Sequence, residues 1–128
     1  MRSEFARLRP RRLSAPTTPP MITQIEPEEL QARLDAGELT VLVDVREPWE
    51  HEYCHLNGAV LLPLGELDEG AETLQVAEDA LVVVYCHHGV RSLHGAAYLQ
   101  GQGVAKVASL RGGIEAWSTR INPKIPRY

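Results

Sequence analysis

The chain has 128 residues, 44% of them hydrophobic and 23% charged, enough for one domain with a single buried core. No apolar run approaches the roughly 18 residues of a membrane-spanning helix, and the two cysteines cannot build a disulfide framework. The formal charge of −4 divides unevenly: residues 1–20 hold five Arg and one Glu, net +4, and the remainder holds eight Lys/Arg against sixteen acids, net −8. An acidic folded part argues against general nucleic-acid affinity, so any anion must be bound by a local arrangement of donors.

Residues 1–20 show no apolar periodicity, and Pro10, Pro16, Pro19 and Pro20 forbid a long helix. They read as a flexible, basic, Pro-rich extension, with a transit peptide or a nucleic-acid-binding arm as the other readings of the same composition. Residues 21–128 read as the folded domain. Ile22–Ile25 is predicted as an edge strand. Glu26-Pro27 opens a helix with proline at its first position and acids in its first turn, carries Leu30 and Leu34 on one face, and stops at Gly37. Val41–Val45 and Ala59–Leu62 are predicted strands, the first broken in its apolar run only by Asp44. An amphipathic stretch over Leu64–Val76 is predicted helical. Leu81–Tyr85 (LVVVY) is the most apolar strand and belongs at the centre of the sheet. A helix over Arg91–Gln102, a strand over Val104–Leu110 and a short helix after Gly112-Gly113 complete the series. Apolar strands alternating with helices predict an α/β fold: a single domain around a central, mostly parallel five-stranded sheet flanked by helices on both faces.

Sites in such sheets form beyond the carboxyl ends of the strands. The central strand ends at Tyr85-Cys86, and His87-His88-Gly89-Val90 leaves room only for a tight loop before the helix from Arg91. Such a loop aims several backbone N–H groups at one centre, and the helix start adds partial positive charge. Cys86 at its mouth is thereby favoured as a thiolate, the form a nucleophilic cysteine requires. Arg91 adds a guanidinium able to hold an oxyanion. The plainer reading is a structural cysteine closing an apolar strand.

The segment Tyr85–Ser92 (YCHHGVRS) resembles the active-site loop of the rhodanese family of sulfurtransferases. Asp44–Glu50 (DVREPWE) is similar to that family's DVRxxxE, His55–Ala59 (HLNGA) to its GHIPGA element, and Leu110–Trp117 (LRGGIEAW) to its closing GGxxAW. The resemblance runs from about Ile22 to Trp117. It implies sulfur transfer through a Cys86 persulfide, from a small anionic donor such as thiosulfate to a thiol or protein sulfur acceptor. His87, His88, Gly89, Val90, Arg91 and Arg46 would bind the donor, and Asp44 and Ser92 would support the loop. Asp44 interrupts an apolar strand and so needs a buried partner; a surface ion pair with Arg46 is the other reading. The spacing C-x4-R is one residue shorter than the loop of related cysteine phosphatases, which leaves phosphatase activity as the lesser enzymatic reading. A non-catalytic partner-binding module is the alternative of a different class.

Two imidazoles in the loop, His87 and His88, make donor binding a candidate for pH dependence near neutrality. Cys54 stands where the family pattern has glycine and reads as a packed thiol, with a resolving or redox role as the alternative. Cys54, His55, Cys86 and His87 lack the usual spacing of zinc ligands. Trp49 and Trp117 read as packing residues, and His51 and His94 as exposed or capping ones. No metal or organic cofactor, nucleic acid or membrane partner is implied. A cytoplasmic monomer or weak homodimer fits two free thiols.

Overall fold

The computed structural model describes residues 21–128, so the extension read for residues 1–20 lies outside the described residues. The strands are β1 (Thr23–Ile25), β2 (Thr40–Asp44), β3 (Val60–Leu61), β4 (Leu81–Tyr85) and β5 (Val107–Leu110). The helices are α1 (Pro27–Asp35), α2 (Pro48–Tyr53), α3 (Leu67–Gly70), α4 (Arg91–Gly101) and α5 (Gly113–Arg120). The five strands pair in the order β1-β5-β4-β2-β3, every pair parallel. β4 therefore lies in the middle, where its unbroken β-branched run fits a strand covered on both sides.

The period-2 alternation of the strands divides the core into two layers. Val43, Val45, Val82 and Val84 face one side, where Leu67 of α3 and Ala96 and Leu99 of α4 cover them. Leu42, Val83 and Tyr85 face the other, against Leu30 of α1 and Ile114 and Trp117 of α5. Each fully buried leucine contributes about 1.5–3 kcal/mol of transfer free energy, so the helices on the two faces are held mainly by these contacts.

Three elements differ from the sequence expectation. The stretch predicted as a helix over Leu64–Val76 is a 3₁₀ turn at Leu64–Glu66, the single turn α3 and a second 3₁₀ turn at Ala71–Thr73. Gly70 there lies against Leu62, where an added Cβ would come within 2.8 Å of a side-chain carbon, so the chain hugs the sheet instead of running on as a helix. The last strand begins at Val107 and not at Val104, after a turn at Gly103 with φ +101°. The sequence reading also passed over α2, although Glu47-Pro48 with Glu50 is a capping pattern: the Glu50 carboxylate accepts the Glu47 N–H at 2.9 Å.

At the carboxyl edge of the sheet the β4–α4 loop meets the start of α5. The N–H groups of Ile114 and Glu115 donate to the carbonyls of Cys86 (2.9 Å) and His87 (3.0 Å). Gly113 (φ +64°) makes this approach possible, because a Cβ there would sit 2.4 Å from the His87 oxygen and 2.5 Å from the Cys86 oxygen. Gly113→Ala is therefore expected to lower stability by at least about 2 kcal/mol, since it adds positive-φ strain to a backbone clash. Denaturant unfolding of the two proteins side by side measures it, and a change under 0.5 kcal/mol would be too small for the fit described.

Candidate active site

Cys86 directly follows β4, and its residue surface is 1% exposed. Its sulfur does not face plain hydrocarbon. Sγ accepts the N–H of Gly89 at 3.1 Å and of Ser92 at 3.3 Å, and lies 3.5 Å from Ser92 Oγ. Ser92 Oγ in turn shares a 2.7 Å hydrogen bond with Ser109 Oγ of β5, both serines fully buried. Gly89 takes φ +101° beside the backbone of Gly112, a turn that brings its N–H round to the sulfur. The N–H groups of His87, His88, Val90 and Arg91 have no acceptor among the described residues. The carbonyls of Cys86 and His87 point towards α5, and the Gly89 and Ser92 amides meet at Sγ, an arrangement that stabilises an anion there.

Around this cradle lies a web of charges. Asp44 and Arg46, both fully buried, pair bidentately: Nε donates to Oδ1 at 2.8 Å and Nη2 to Oδ2 at 2.7 Å. Asp44 also accepts from the Arg46 backbone N–H and the Tyr85 hydroxyl, and Oδ2 lies 2.8 Å from His51 Nδ1. Arg46 further donates to the Cys54 carbonyl and, at 2.7 Å, to the Tyr128 hydroxyl. Burial alone would push the Asp44 carboxyl up, but the bonds from Arg46 and His51 outweigh it and hold it below its ordinary range. Burial likewise raises Tyr85, with the Asp44 charge adding to the effect. The loop backbone receives none of these bonds. Asp44 and Arg46 tie β2 to α2 and to the carboxyl-terminal segment.

Arg91, the first residue of α4, turns its guanidinium to Glu50 of α2, donating at 2.8 and 3.1 Å to the two carboxylate oxygens. Tyr128 donates to the same carboxylate at 2.7 Å. The Tyr128 ring stacks on His87 at 3.8 Å, and His87 stacks on His88 at 3.9 Å. Burial lowers the His87 pKa, and the neighbouring His88 adds to the effect. Val90 is exposed on the outer side of the loop.

The structure thus gathers Cys86, Gly89 and Ser92 at the sulfur, with His87 and His88 in an aromatic stack beside it. Arg46 and Arg91 stand in ion pairs. Glu50 and Tyr128 received no role in the sequence reading; Glu50 was visible within the quoted DVREPWE segment, whereas no local pattern marks Tyr128. Trp49, expected to pack, is 62% exposed, while Trp117 is buried. His51 is neither free nor a cap, being bound to Asp44. Cys54 and Cys86 are free thiols that pack on opposite faces of the sheet, and the Cys54 thiol points to the Pro126 carbonyl at 3.7 Å.

His87, His88 and Glu115 bring possible metal-ligating atoms within 4.8 Å of one another. The two imidazoles are stacked at an interplanar angle of 25°, and a metal ion must lie near the plane of each ring it binds. Glu115 is also engaged by Arg127. These groups as arranged do not form a metal centre. Two concavities of about 490 and 500 Å³ lie elsewhere, one against α3 and the end of α4, the other between α1 and α5, and neither is lined by the Cys86 loop.

Burial works to raise the Glu50 pKa, but the Arg91 pair, the α2 amide and the Tyr128 hydroxyl outweigh it and bring it down to about 2. An unfolded chain takes up this proton near 4.5 and the folded protein only near 2, so the stability it confers is complete above the higher value. It is lost as pH falls through that window. Glu50→Gln is expected to flatten the decline in stability between pH 4.5 and about 2; an unchanged slope in pH-dependent denaturant melts would contradict the pairing.

A sequence model of the Rhodanese-like domain matches residues 26–120. The chain is 41% identical over 97 residues to the thiosulfate sulfurtransferase GlpE of Pseudomonas syringae, covering 75% of this chain and 87% of that one. It is 38% identical over 98 residues to a sulfurtransferase of Allochromatium vinosum, covering 77% and 90%. The probable adenylyltransferase/sulfurtransferase MoeZ of Mycobacterium tuberculosis is 36% identical over 104 residues, which are 81% of this chain but only 26% of that protein's length. Among solved structures, a rhodanese-related protein from Thermoplasma volcanium superposes with a TM-score of 0.69 at 28% identity, over 79% of this chain and 95% of that one. The thiosulfate sulfurtransferase of Pseudomonas aeruginosa gives 0.70 at 30%, over 77% and 19%. The single five-stranded parallel α/β domain, its cysteine loop at the end of the central strand, and these matches together assign the chain to the rhodanese-like domain family.

Proposed function

We propose that this protein is a sulfurtransferase that carries sulfane sulfur on Cys86. The observation that supports this reading best is the cradle: two N–H groups already on Sγ, and four more in the loop without an acceptor among the described residues. In the resting thiol the S–H is directed to Ser92 Oγ. On ionisation the Ser92 hydroxyl can turn to donate to the sulfur, leaving Ser109 as its neighbour. The Cys86 thiolate attacks the sulfane sulfur of the donor, and a Cys86–sulfur bond forms as the donor's S–S bond breaks. The leaving group departs with the electron pair, and the terminal sulfur of the persulfide carries the negative charge among the loop amides. An acceptor thiolate then attacks that terminal sulfur, takes it, and regenerates the Cys86 thiolate. Neither step consumes an oxidant or needs a metal. Gly89, Ser92 and the amides of His87, His88, Val90 and Arg91 are the groups that bind and stabilise the transferred sulfur. Asp44 and Arg46 act through the surrounding framework.

The test is the intact mass of the protein after incubation with a sulfane-sulfur donor. One added sulfur on Cys86, removed again by an acceptor thiol, is the expected result, with none in Cys86→Ser. Ser92→Ala should slow loading about tenfold, the worth of one hydrogen bond to a charged sulfur. Failure of the native protein to gain sulfur from any donor would leave the partner-binding module as the reading. Hydrolysis of an aryl phosphate, lost in Cys86→Ser, would support the phosphatase.

A further inference from the structure

The segment that follows α5 lies back across the domain and is fixed at several points. Ile121 and Ile125 pack against the core layer of Leu30, Ile114 and Trp117, and the Ile125 carbonyl accepts the Ser118 hydroxyl at 2.6 Å. The Pro126 carbonyl faces the Cys54 thiol at 3.7 Å, and Arg127 pairs with Glu115 of α5. Tyr128 reaches the cysteine loop: its ring stacks on His87 at 3.8 Å and an interplanar angle of 6°, and its hydroxyl bridges Arg46 and Glu50. The chemistry at Cys86 uses none of these contacts.

His87 makes this grip sensitive to protonation. Its ring stacks against both Tyr128 and, at 3.9 Å, His88, and its Nε2 is buried with no hydrogen-bond partner among the described residues. A neutral imidazole can carry its proton on Nδ1 and leave Nε2 bare, whereas the imidazolium carries a proton on both nitrogens. In the stack, the second N–H of the cation would be buried without an acceptor. The surrounding charges offer none. Glu50 of α2 is engaged by Arg91 and Tyr128, Glu115 of α5 by Arg127, and the loop itself adds only His88 and Arg91. Burial and then His88 lower the His87 pKa, against the opposing pull of Glu50 and Glu115.

We propose that residues 121–128 form a pH-sensitive latch on the cysteine loop, seated through the Tyr128 ring while His87 is neutral and loosened when His87 takes up a proton. Unseated, the imidazole regains water and titrates near the ordinary value of 6.5; seated, it takes the proton only below that value. Seating is therefore complete above pH 6.5 and weakens as pH falls from there through the lower value. The seated-to-unseated ratio drops by about tenfold for each pH unit between the two. The latch does not depend on what Cys86 carries.

Cys54 reports on the latch, because its buried thiol lies against Pro126. The full-length reduced protein is treated with a pyridyl disulfide at about pH 7.5 and about pH 5, on either side of the ordinary histidine range, and modification of Cys54 is followed by peptide mass. Each rate is divided by that of the urea-unfolded chain at the same pH, which removes the intrinsic pH dependence of the thiol. Protection of Cys54 should fall by about threefold or more at the lower pH. His87→Phe keeps an aromatic ring that cannot titrate and should leave Cys54 equally protected at both values. Tyr128→Ala should leave it poorly protected at both. Should His87→Phe fail to fold, NMR titration of the histidine Cε1 protons takes its place: the His87 midpoint should lie below 6.5 in the native protein and rise in Tyr128→Ala. Protection that does not change with pH overturns the latch. So does a loss that persists in His87→Phe or accompanies a loss of circular dichroism, or a His87 midpoint unmoved by Tyr128→Ala.

Discussion

Two hydrogen bonds from the first turn of α5 to the carbonyls of Cys86 and His87 orient everything else in this site. A peptide plane fixed by its carbonyl has its N–H fixed on the opposite side. By holding two successive carbonyls, α5 keeps the amides of His87 and His88 turned away from itself, while those of Gly89 and Ser92 reach the sulfur. The arrangement depends on Gly113 lacking a Cβ and on Gly89 adopting φ +101° beside Gly112. A parallel sheet brings these parts together because its strands all end at one edge, so the segments following β4 and β5 become neighbours there.

A second constraint is electrostatic. Asp44, Arg46, Glu50, Arg91 and Tyr128 form a connected set in which each charged group meets an opposite charge. A fully buried pair such as Asp44–Arg46 contributes little net stability compared with apolar packing, but loss of one partner leaves the other uncompensated, at a cost of about 3–5 kcal/mol. The partly exposed Arg91 pair with Glu50 is screened by solvent and costs less. The set therefore fixes geometry more than it adds stability. It joins β2, α2, the head of α4 and the carboxyl-terminal segment around the cysteine loop, and it leaves the loop lined by neutralised pairs.

Most of the architecture was legible from local patterns. LVVVY at Leu81–Tyr85 read as a strand covered on both faces, and Cys86 followed by a tight loop and a helix pointed to the turn whose amides reach Sγ. The Leu64–Val76 stretch was misread because its amphipathic spacing is real but Gly70 is held against Leu62, a tertiary cause that periodicity cannot reveal. The α2 helix was legible in principle, from Pro48 and the Glu47/Glu50 cap, and it is the element that delivers Glu50. Arg46 and Arg91 were visible as cations, and an Asp44–Arg46 pair was among the readings, but its full burial and the Arg91–Glu50 pair were not. Whether a guanidinium is free or paired depends on partners brought in by the fold, such as Tyr128, 82 residues beyond Arg46.

The site is thus built in two separable layers. The amides that meet the sulfur are positioned by the contact with α5 and by the glycines at the sheet edge. The charges around the loop are positioned by α2 and by Tyr128, whose hydroxyl sits between Arg46 and Glu50 while its ring lies on His87. Among the described residues, no side-chain hydrogen bond of the second layer ends on the amides that reach Sγ or on the carbonyls held by α5. The bonds that meet the sulfur and the ion pairs around the loop thus rest on different groups of the chain.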